Sequence, residues 1–553
     1  MNASELLMQL LLEQGVDIVF GYPGGAVLDI YDALYKYGDR IRHVITAHEQ
    51  GAAHAADGYA RVTGKPGVVL ATSGPGATNL VTGIAAAYMD SVPMVAITGN
   101  VGTGLIGRDS FQEVYIAGIT LPITKHNFTL RGAQELVPTI RAAFRIAQEG
   151  RKGPVLVDIP RDVSAATDSP TPLVDTPLLR PNEPAGSSGT PAGEGGLVRA
   201  AAEALNAARR PLIFFGGGVQ SADAGKALRA LCAKGDIPAA HTLMALGVLR
   251  WDDPYNLGLS GMHGRVSANK AIAQADVLLI VGARLSDRIA PGFARFAPKA
   301  FKIHVDIDPA ELGKNVPADI AIEGDAGAVL ARLLPLIEAK ARPEWREQIA
   351  QWQGQDYQPE NDDSVLRPHQ VMRAISELAG ENAIYTTDVG QHQLWAAQYL
   401  RHAKPRSFLT SGGLGAMGYG YGAAIGAAFA ASPAGAAWRP AIHITGDGSF
   451  HMNMNEACTA VSYGLPVISI NLNNRALGMV RQWQDSSFEG RHSATEPVRH
   501  TDYLKLAGGF GLRGFRCADL ESFKEAFRKA LDLKAPAWIE CLIGREEKVR
   551  HGF

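Results

Sequence analysis

The stretch Ala441-Ile442-His443-Ile444-Thr445-Gly446-Asp447-Gly448 joins a short apolar run to a Gly-Asp-Gly turn. Its apolar first half is typical of a short buried strand, and the Gly-Asp-Gly sequence ends that strand sharply. A second apolar run, from Pro466 to Ile470, ends at Asn473-Asn474. Because an open parallel α/β sheet binds its ligands at the carboxyl ends of its strands, these two ends predict a binding edge. Two sharp strand-to-helix turns without a ligand are the alternative interpretation.

Asp447 and Asn474 give this edge two oxygen ligands. A carboxylate and an amide carbonyl suit a hard cation that keeps phosphate oxygens as its other ligands. Gly446 and Gly448 allow the backbone to approach such a ligand closely. The pattern therefore predicts Mg²⁺ bound to a diphosphate.

The composition limits the class of protein. A length of 553 residues predicts about three or four domains. The 53 basic and 55 acidic residues nearly balance, which argues against nucleic acid and acidic membrane surfaces as partners. The four cysteines are far apart and lack a Cys-x-x-Cys pattern. They therefore predict neither a disulfide framework nor a thiolate zinc site.

Signals of export and of membrane insertion are weak in this sequence. The first residues, Met1-Asn2-Ala3-Ser4-Glu5, lack the basic segment of a signal peptide. The Ala/Gly-rich segment from Tyr419 to Trp438 comes nearest to a membrane span, but its small residues favour a tightly packed soluble helix. We therefore expect a cytoplasmic, soluble protein.

Two segments rich in Pro, Gly, Ser and charge divide the chain into three blocks. These segments, 166–196 and 341–367, are predicted linkers. The blocks 1–165, 197–340 and 368–553 alternate short β-rich apolar runs with helical patterns. The predicted fold class is therefore α/β, with three doubly wound parallel-sheet domains.

The first and third blocks contain similar units. In the first block an apolar run leads into Gly74-Pro75-Gly76, as the run in the third block leads into Gly446-Asp447-Gly448. Since Pro75 stands where the third block has Asp447, only the third block can hold a metal in this way. The first block instead offers His48-Glu49-Gln50 after an apolar run. Glu49 is either a catalytic carboxylate or an ordinary helix cap.

The middle block carries a pattern like that of a dinucleotide site. An apolar run from Pro211 to Phe215 precedes Gly216-Gly217-Gly218, and a later run ends near Asp306. The Gly-x-Gly-x-x-Gly spacing is absent, so this signal is weak.

Seven motifs, taken in order, point to a known family. They are His48-Glu49-Gln50, Ser73-Gly74-Pro75-Gly76-Ala77-Thr78-Asn79, Phe111-Gln112-Glu113, Thr124-Lys125-His126, Gly261-Met262-His263-Gly264, Val389-Gly390-Gln391-His392 and Leu477-Gly478-Met479-Val480-Arg481-Gln482-Trp483-Gln484. With these motifs the chain resembles the thiamine diphosphate-dependent enzymes, and among them the acetohydroxyacid synthases. The resemblance covers nearly the whole chain, from Gly15 to about Ala494.

The resemblance implies a division of labour among the domains. Residues 1–165 would bind the pyrimidine end of the cofactor, 197–340 would bind FAD, and 368–553 would bind the diphosphate and Mg²⁺. In this family the cofactor lies between the pyrimidine domain of one subunit and the diphosphate domain of its partner. A homodimer or homotetramer is therefore expected, and a separate regulatory subunit is a further partner to consider.

The resemblance also implies roles for individual residues. Glu49 would hydrogen-bond the cofactor pyrimidine and promote removal of the C2 proton. Met417 would hold the cofactor bent, and Mg²⁺ would be held by Asp447, Asn474 and the carbonyl of Ala476. The other contacts to thiamine diphosphate would come from Gly24, Gly25, Val389, Gly390, Gln391, His392, Gly415, Gly446, Gly448 and Ser449. FAD, in a structural role, would contact Arg151, Gly216, Gly217, Gly218, Thr242, Leu243, Met262, His263, Gly282, Arg284, Arg288, Asp306, Ile307 and Asp325.

A second set of residues matches the pocket for the acceptor substrate in this family. Arg288 would orient a carboxylate, and Trp483 would favour an ethyl over a methyl substituent. Arg161 stands where the family usually has Lys, and the C-terminal segment Arg545–Phe553 lacks the usual Pro/Met-rich tail. How the active site is covered, and which range of substrates it accepts, are therefore open questions. The pocket set is Phe111, Gln112, Met262, Arg288, Met479 and Trp483.

The implied activity is the ligation of two 2-keto acids with loss of carbon dioxide. Two pyruvates would give 2-acetolactate, and pyruvate with 2-ketobutyrate would give 2-aceto-2-hydroxybutyrate. A FAD-dependent pyruvate oxidase is one alternative, and a glyoxylate carboligase-like enzyme is another. Glu49 argues against the latter, which has a non-acidic residue at this position. A non-catalytic paralogue would be expected to lose Glu49, Asp447 or Asn474, and all three are present.

Overall fold

Three parallel sheets form the framework of the protein. A computed structural model describes residues 1–167, 194–290, 292–360, 365–431 and 439–550. Within these residues the strands form three six-stranded sheets whose neighbouring strands run parallel. Helices flank each sheet. The predicted α/β class with three parallel-sheet domains is confirmed.

The N-terminal domain holds the first sheet. Its strands are β1 (Ile18–Tyr22), β2 (Arg42–Ile45), β3 (Gly67–Ala71), β4 (Met94–Asn100), β5 (His126–Thr129) and β6 (Pro154–Pro160). Its helices are α1 (Ala3–Glu13), α2 (Leu28–Lys36), α3 (Glu49–Thr63), α4 (Pro75–Asn79), α5 (Val81–Met89), α6 (Ile116–Thr120), α7 (Leu136–Gln148) and α8 (Arg161–Ser164). The strand order is β2-β1-β3-β4-β6-β5. Strands β4 and β6 are buried throughout, as expected for parallel strands covered on both faces.

The central domain has the topology of a dinucleotide-binding fold. Its strands are β7 (Pro211–Phe215), β8 (Ala239–His241), β9 (Asn256–Leu259), β10 (Val277–Val281), β11 (Phe301–Asp306) and β12 (Ile320–Glu323). Its helices are α9 (Glu194–Ala207), α10 (Ala222–Gly235), α11 (Val266–Gln274), α12 (Ala326–Leu333) and α13 (Pro343–Gln353). The order β12-β11-β10-β7-β8-β9 reverses direction between β7 and β10, which is the ligand-binding point of such sheets.

The C-terminal domain repeats the topology of the N-terminal one. Its strands are β13 (Ile384–Thr387), β14 (Phe408–Thr410), β15 (Ala441–Gly446), β16 (Val467–Asn473), β17 (Arg513–Cys517) and β18 (Ala537–Leu542). Its helices are α14 (Pro368–Ala379), α15 (Gln391–Tyr399), α16 (Tyr419–Ala431), α17 (Asp447–Asn453), α18 (Glu456–Ser462), α19 (Gly478–Ser487), α20 (Tyr503–Phe510) and α21 (Leu520–Leu533). The order β14-β13-β15-β16-β18-β17 matches that of the first sheet strand for strand. The similarity of the two outer blocks therefore extends from motif to topology.

Small residues join the two outer domains of one chain. Helices α3 and α16 pack so closely that a Cβ on Gly58 or Gly426 would overlap the carbonyl of Ala423 or Ala55, respectively. One hydrophobic core runs from Phe20 in the first domain to residues of the third. The Ala/Gly-rich stretch is thus a packed helix up to residue 431, and 432–438 lie outside the described residues.

The two predicted linkers differ in what the structure describes. Most of 166–196 lies outside the described residues. The range 341–367 includes helix α13, whose Trp345 Nε1 donates to the carbonyl of Pro211 at 3.0 Å. This helix therefore packs on the central domain, while the domain boundaries themselves stay predictions.

No helix among the described residues is long and apolar enough to cross a membrane. Single 3-10 turns lie at Gly25–Val27, Thr103–Leu105, Leu121–Ile123, Ala133–Glu135, Gly217–Val219, Leu243–Ala245, Phe293–Arg295 and Leu334–Leu336.

Candidate active site

The carboxyl edge of the C-terminal sheet gathers the three predicted metal ligands. Strand β15 ends at Gly446, and the neighbouring strand β16 ends at Asn473. Asp447, Asn474 and Ala476 follow these two ends and are buried. Asn474 Oδ1 accepts a hydrogen bond from the amide of Ala476 at 3.2 Å. This hydrogen bond stabilises the turn after β16.

The Asp447 carboxylate lacks a partner for one of its oxygens. Its Oδ1 is buried and accepts no hydrogen bond from the described residues. Burial raises the pKa of this carboxyl to about 6, and the nearby Arg499 guanidinium opposes that rise. A buried carboxylate oxygen without a partner is costly. A cation bound at Oδ1 would supply the missing partner, so these residues fit Mg²⁺.

Other acidic groups do not complete such a metal site. Within the described ranges, no three His, Cys, Asp or Glu side chains are grouped to hold a metal. A cation at Asp447 would therefore depend on the Asn474 amide, the Ala476 carbonyl and oxygens of a ligand. That donor set matches the preference of Mg²⁺ for phosphate and carbonyl oxygens.

A tight cradle lies beside Asp447. The backbone of Gly390 has φ 151°, and a Cβ on this residue would lie 2.9 Å from His392 Cε1. A Cβ on Gly446 would lie 2.9 Å from His392 Nδ1. Burial lowers the pKa of His392 to about 4, so its ring is neutral near pH 7. Helix α15 begins directly after Gly390, and the free amides of a helix N-terminus suit a diphosphate. Val389, Gly448 and Ser449 are in the same region, with Ser449 Oγ 3.4 Å from the carbonyl of Val389.

The side chain of Gln391 is already engaged. Its Nε2 donates to Gln482 Oε1 at 2.9 Å and to the carbonyl of Glu547 at 2.8 Å. Its Oε1 accepts from Asn474 Nδ2 at 3.2 Å. The predicted contact of Gln391 with the diphosphate is therefore open to its backbone amide, while its side chain holds the neighbouring segments.

The loop before α16 brings Met417 toward the same edge. A Cβ on Gly448 would lie 3.7 Å from Met417 Cε. Gly415 has φ 72° and is exposed, a conformation that favours glycine. The loop thus presents Gly415 and Met417 on an open side of the C-terminal domain.

Glu49 lies at the carboxyl edge of the N-terminal sheet. It is the first residue of α3, which His48 caps by accepting from the Gln50 amide at 3.2 Å. Glu49 Oε2 accepts from Asn79 Nδ2 at 2.9 Å, and a Cβ on Gly76 would lie 3.3 Å from Glu49 Oε1. Glu49 therefore does not cap its own helix, because His48 does.

Further predicted residues lie at or near this edge. A Cβ on Gly24 would lie 2.5 Å from Thr72 Cβ, and one on Gly74 would lie 2.9 Å from Gln112 Cα. Gln112 has φ 58°, which is uncommon for a residue other than glycine. Gly25 has open space beside it. The side chains of Phe111 and Arg161 are exposed on the same domain.

Part of the predicted acceptor pocket is assembled between the central and C-terminal domains. The guanidinium of Arg288 lies 5.2 Å from the ring centre of Trp483, a cation–π distance. Arg288 Nη1 lies 3.6 Å from Met262 Sδ. Met479 precedes Trp483 by one turn of α19 and so shares its face. Trp483 remains 40% exposed, which leaves its ring available to a ligand.

The residues predicted to hold FAD surround the reversal point of the central sheet. A Cβ on Gly218 would lie 2.8 Å from Gly282 Cα, and Gly282 has φ 54°. The Thr242 amide donates to the carbonyl of Phe215 at 3.0 Å. Glycine backbones in close contact leave the room that a dinucleotide needs, so the cradle fits FAD. Leu243, Gly216, Gly217 and Ile307 belong to the turns that follow these strands.

The charged members of that set have partners within the chain. Arg151 Nη1 lies 3.1 Å from Asp308 Oδ2, and Arg284 Nη2 lies 3.9 Å from Asp90 Oδ1. Asp306 Oδ1 accepts from the Asp308 amide at 3.0 Å. Asp325 caps α12 by accepting from the Ala328 amide at 3.0 Å, and the carbonyl of His263 accepts from Gln398 Nε2 at 2.8 Å. These contacts have structural roles whether or not FAD binds.

Comparison with known proteins gives each sheet domain a counterpart. Residues 1–119 match the N-terminal TPP binding domain of thiamine pyrophosphate enzymes, 198–333 match their central domain, and 388–541 match their C-terminal TPP binding domain. The acetolactate synthase of Mycobacterium bovis is 44% identical over 99% of this chain and 89% of its own length. The chain belongs to the thiamine pyrophosphate enzymes.

Two further relatives of this thiamine pyrophosphate enzyme are also acetolactate synthases. The acetolactate synthase large subunit of Corynebacterium glutamicum is 44% identical over 99% of this chain and 88% of its own length. The isozyme 3 large subunit of acetolactate synthase from Escherichia coli is 41% identical over 96% and 92%. The family resemblance inferred from the motifs is confirmed.

One residue that the motifs missed supports Glu49 in this thiamine pyrophosphate enzyme. The buried carboxylate of Glu456, on α18, accepts from the amides of Ala47 at 3.2 Å and His48 at 3.1 Å. Burial raises the pKa of Glu456 to about 7. The Thr459 hydroxyl also donates to it at 2.7 Å, but its link to the segment before Glu49 runs through backbone amides far away in sequence, which no local pattern marks.

The C-terminal segment of this thiamine pyrophosphate enzyme packs against α19. Val549 exchanges two hydrogen bonds with the side chain of Gln482, at 2.7 and 2.9 Å. Arg481 Nη2 pairs with Glu546 Oε1 at 2.7 Å. This segment therefore holds the helix that carries Met479 and Trp483.

Proposed function

We propose that this protein is the catalytic subunit of an acetolactate synthase. It would decarboxylate pyruvate and ligate the remaining two-carbon unit to a second 2-keto acid, either pyruvate or 2-ketobutyrate. The observation that carries the proposal is the presence of two complementary half-sites. Glu49 and Asp447 lie at corresponding edges of two sheets with the same strand order. The similarity to acetolactate synthases along nearly the whole chain supports the same reaction.

The cofactor chemistry explains why both half-sites are needed. Thiamine pyrophosphate, when bound, supplies the carbon nucleophile that attacks the keto group and takes up the electrons released with carbon dioxide. Asp447, Asn474 and the Ala476 carbonyl would hold Mg²⁺ and, through it, the diphosphate. Glu49 would hold a proton at the pyrimidine ring, where its carboxyl, steadied by Asn79, acts as acid and base.

The chain's own residues would then select the acceptor. Arg288 presents a planar fork that suits a carboxylate, and Trp483 offers an apolar wall beside it. One additional methylene in such a pocket is worth about 1 to 3 kcal/mol. A preference for 2-ketobutyrate over pyruvate would therefore be graded, and Phe111, Gln112, Arg161 and Met479 would complete the pocket.

The proposal includes a homodimer whose subunits share each site. Among the described residues, hydrogen bonds and ring contacts do not join Glu49 to Asp447, although both lie in one chain. Phe111 is 87% exposed and Tyr115 is 78% exposed, as expected for side chains that a second copy covers. Binding of a regulatory subunit extends the proposal, because these relatives are named large subunits. Assembly of the dimers into tetramers is a further part of it. FAD would bind the central domain in a structural role.

Product analysis tests this function directly. Purified protein with pyruvate, thiamine pyrophosphate and Mg²⁺ is expected to form 2-acetolactate and carbon dioxide, and added 2-ketobutyrate is expected to compete as acceptor. Carbon dioxide without acetolactate would contradict the proposal. Bleaching of bound flavin by pyruvate without oxygen, at the rate of turnover, would favour a pyruvate oxidase instead.

A further inference from the structure

A buried cluster of charges lies where the three domains meet. It contains Asp57 and Arg61 on α3, Asp90 after α5, and Tyr419 at the start of α16. The side chains of Asp57 and Asp90 are fully buried, and that of Arg61 is 10% exposed. Arg61 Nε donates to Asp57 at 2.6 Å, and Arg61 Nη2 donates to Asp90 at 2.9 Å. None of these residues belongs to the predicted sites.

Asp90 differs from Asp57 in the hydrogen-bond donors that its carboxylate binds. Asp90 Oδ2 accepts from the amide of Gly412 at 2.9 Å, and Oδ1 accepts from the amide of Gly413 at 2.7 Å. Hydrogen bonds to a carboxylate are stronger than those between neutral groups. Asp57 instead accepts from Tyr419 at 2.5 Å. Asp90 is therefore the member of the cluster that holds the loop before α16 by its backbone.

That loop is the one that presents Gly415 and Met417. Its residues from Gly412 to Gly415 are exposed in the chain, but a Cβ on Gly412 would overlap Met244 Sδ, so one side of the loop is closely packed. A second tether comes from Ser411 Oγ, which accepts from the Ala416 amide at 3.0 Å. Two of the hydrogen bonds that hold the loop therefore end on Asp90.

The position of Asp90 is not explained by its own helix. It is the C-terminal cap of α5, where a negative charge opposes the helix dipole. The carboxylate is compensated instead by Arg61 and by Arg284 of the central domain, whose Nη2 lies 3.9 Å from Oδ1. Its charge balance and its hydrogen bonds therefore involve all three domains.

We propose that Asp90 is a positioning residue for the thiamine pyrophosphate site. By holding the amides of Gly412 and Gly413 against α5, it sets the place of Gly415 and Met417 before the cofactor binds. Cofactor binding then requires less ordering of the loop, which raises affinity. This inference rests on the proposed function only in that thiamine pyrophosphate is the ligand.

Two substitutions test the inference from opposite sides. Asp90→Asn keeps the shape but gives an NH₂ group in place of one acceptor. Gly413→Ala keeps the charge cluster intact. Its Cβ would lie 3.0 Å from Asp90 Oδ1 and 2.9 Å from the carbonyl of Met89, so the loop must shift. Asp57→Asn and Gly508→Ala are the matched controls, since Gly508 has open space around it.

The measurement is the dissociation constant of thiamine pyrophosphate, with Mg²⁺ in excess, by equilibrium dialysis of the assembled protein. Asp90→Asn and Gly413→Ala are expected to raise this dissociation constant at least about tenfold, while the controls stay within about threefold.

A folded Asp90→Asn protein with the affinity of the wild type would overturn the inference. An equal loss in Asp57→Asn would do so too, because it would assign the effect to the charge cluster as a whole. If Asp90→Asn does not fold, unchanged binding by Gly413→Ala overturns it. If the protein does not form acetolactate, the proposed function fails but the dissociation constants still test this inference, because dialysis measures binding alone.

Discussion

For single residues, the proposed function gives Asp447 and Glu49 two tasks that one carboxylate could not perform together. Asp447 is buried with an unpaired oxygen, an arrangement that attracts a cation. Glu49 is partly exposed and steadied by one amide, an arrangement that lets it exchange a proton. The environment of each carboxylate therefore suits its proposed role.

Replacing Glu49 tests its role in proton transfer. Glu49→Gln can still accept the hydrogen bond from Asn79, but it cannot hold or release a proton near pH 7. We expect acetolactate formation to fall about 100-fold or more, with thiamine pyrophosphate still bound in dialysis. Glu13→Gln, which alters an ion pair with Arg141 on the same domain, is the control. Substantial activity in Glu49→Gln would contradict the assigned mechanism.

At the scale of elements, the start of α3 depends on a carboxyl group of another domain. Burial raises the pKa of Glu456 to about 7, well above that of an exposed glutamate. A carboxyl with a raised pKa binds its proton more tightly in the folded state. Its contribution to stability therefore increases as the pH falls from about 7 toward 4.5.

The variant Glu456→Gln lacks this titration. Relative to the variant, the wild type is expected to gain thermal stability between pH 7.5 and pH 5.5. Midpoints of thermal unfolding, measured for both proteins across that range, check the sign. A difference in midpoint that does not change with pH would show that Glu456 does not titrate with folding.

The C-terminal segment offers a second prediction at this scale. A chain ending at Gly544 loses the contacts of Glu547 and Val549 with Gln391 and Gln482. We expect α19 to loosen and KM for pyruvate to rise several-fold more than kcat falls, because Trp483 lies on that helix. Steady-state kinetics of the shortened chain provide the measurement.

A single substitution separates packing of that segment from its charge. Glu546→Gln removes one partner of Arg481, but its side chain is 71% exposed and Arg481 keeps Glu496 at 2.7 Å. Exposed ion pairs contribute little, so this variant is expected to resemble the wild type. A large effect of Glu546→Gln would instead point to charge as the dominant contribution.

At the scale of the whole molecule, sharing of sites predicts complementation between inactive chains. In a dimer of Glu49→Gln with Asp447→Asn, one site has both native residues and the other has neither. Randomly assembled mixtures should recover about a quarter of wild-type activity. The control mixes wild type with the Glu49→Gln/Asp447→Asn double variant, in which each mixed dimer has no intact site. No recovery in the first mixture would place Glu49 and Asp447 of one chain in one site.

Local patterns revealed the three sheets, because each parallel strand is a short apolar run that ends in a characteristic turn. The motif around Asp447 predicted its place at the sheet edge for the same reason. By contrast, Glu456 and Asp90 act on backbone amides of segments far away in sequence. Any sequence offers such amides, so the role of these carboxylates follows only from the folded chain. The hydrogen bonds of Gln391 to Gln482 and Glu547 escaped prediction in the same way.

The backbone contact between α3 and α16 limits which substitutions and recombinations such a protein can tolerate during evolution. Gly58 and Gly426 leave no room for a side chain on either helix, so a larger residue on one side cannot be compensated by a smaller one opposite. The two outer domains must therefore be inherited as a matched pair. Recombination between related genes would preserve the protein most readily when it exchanges the central domain and leaves that pair intact.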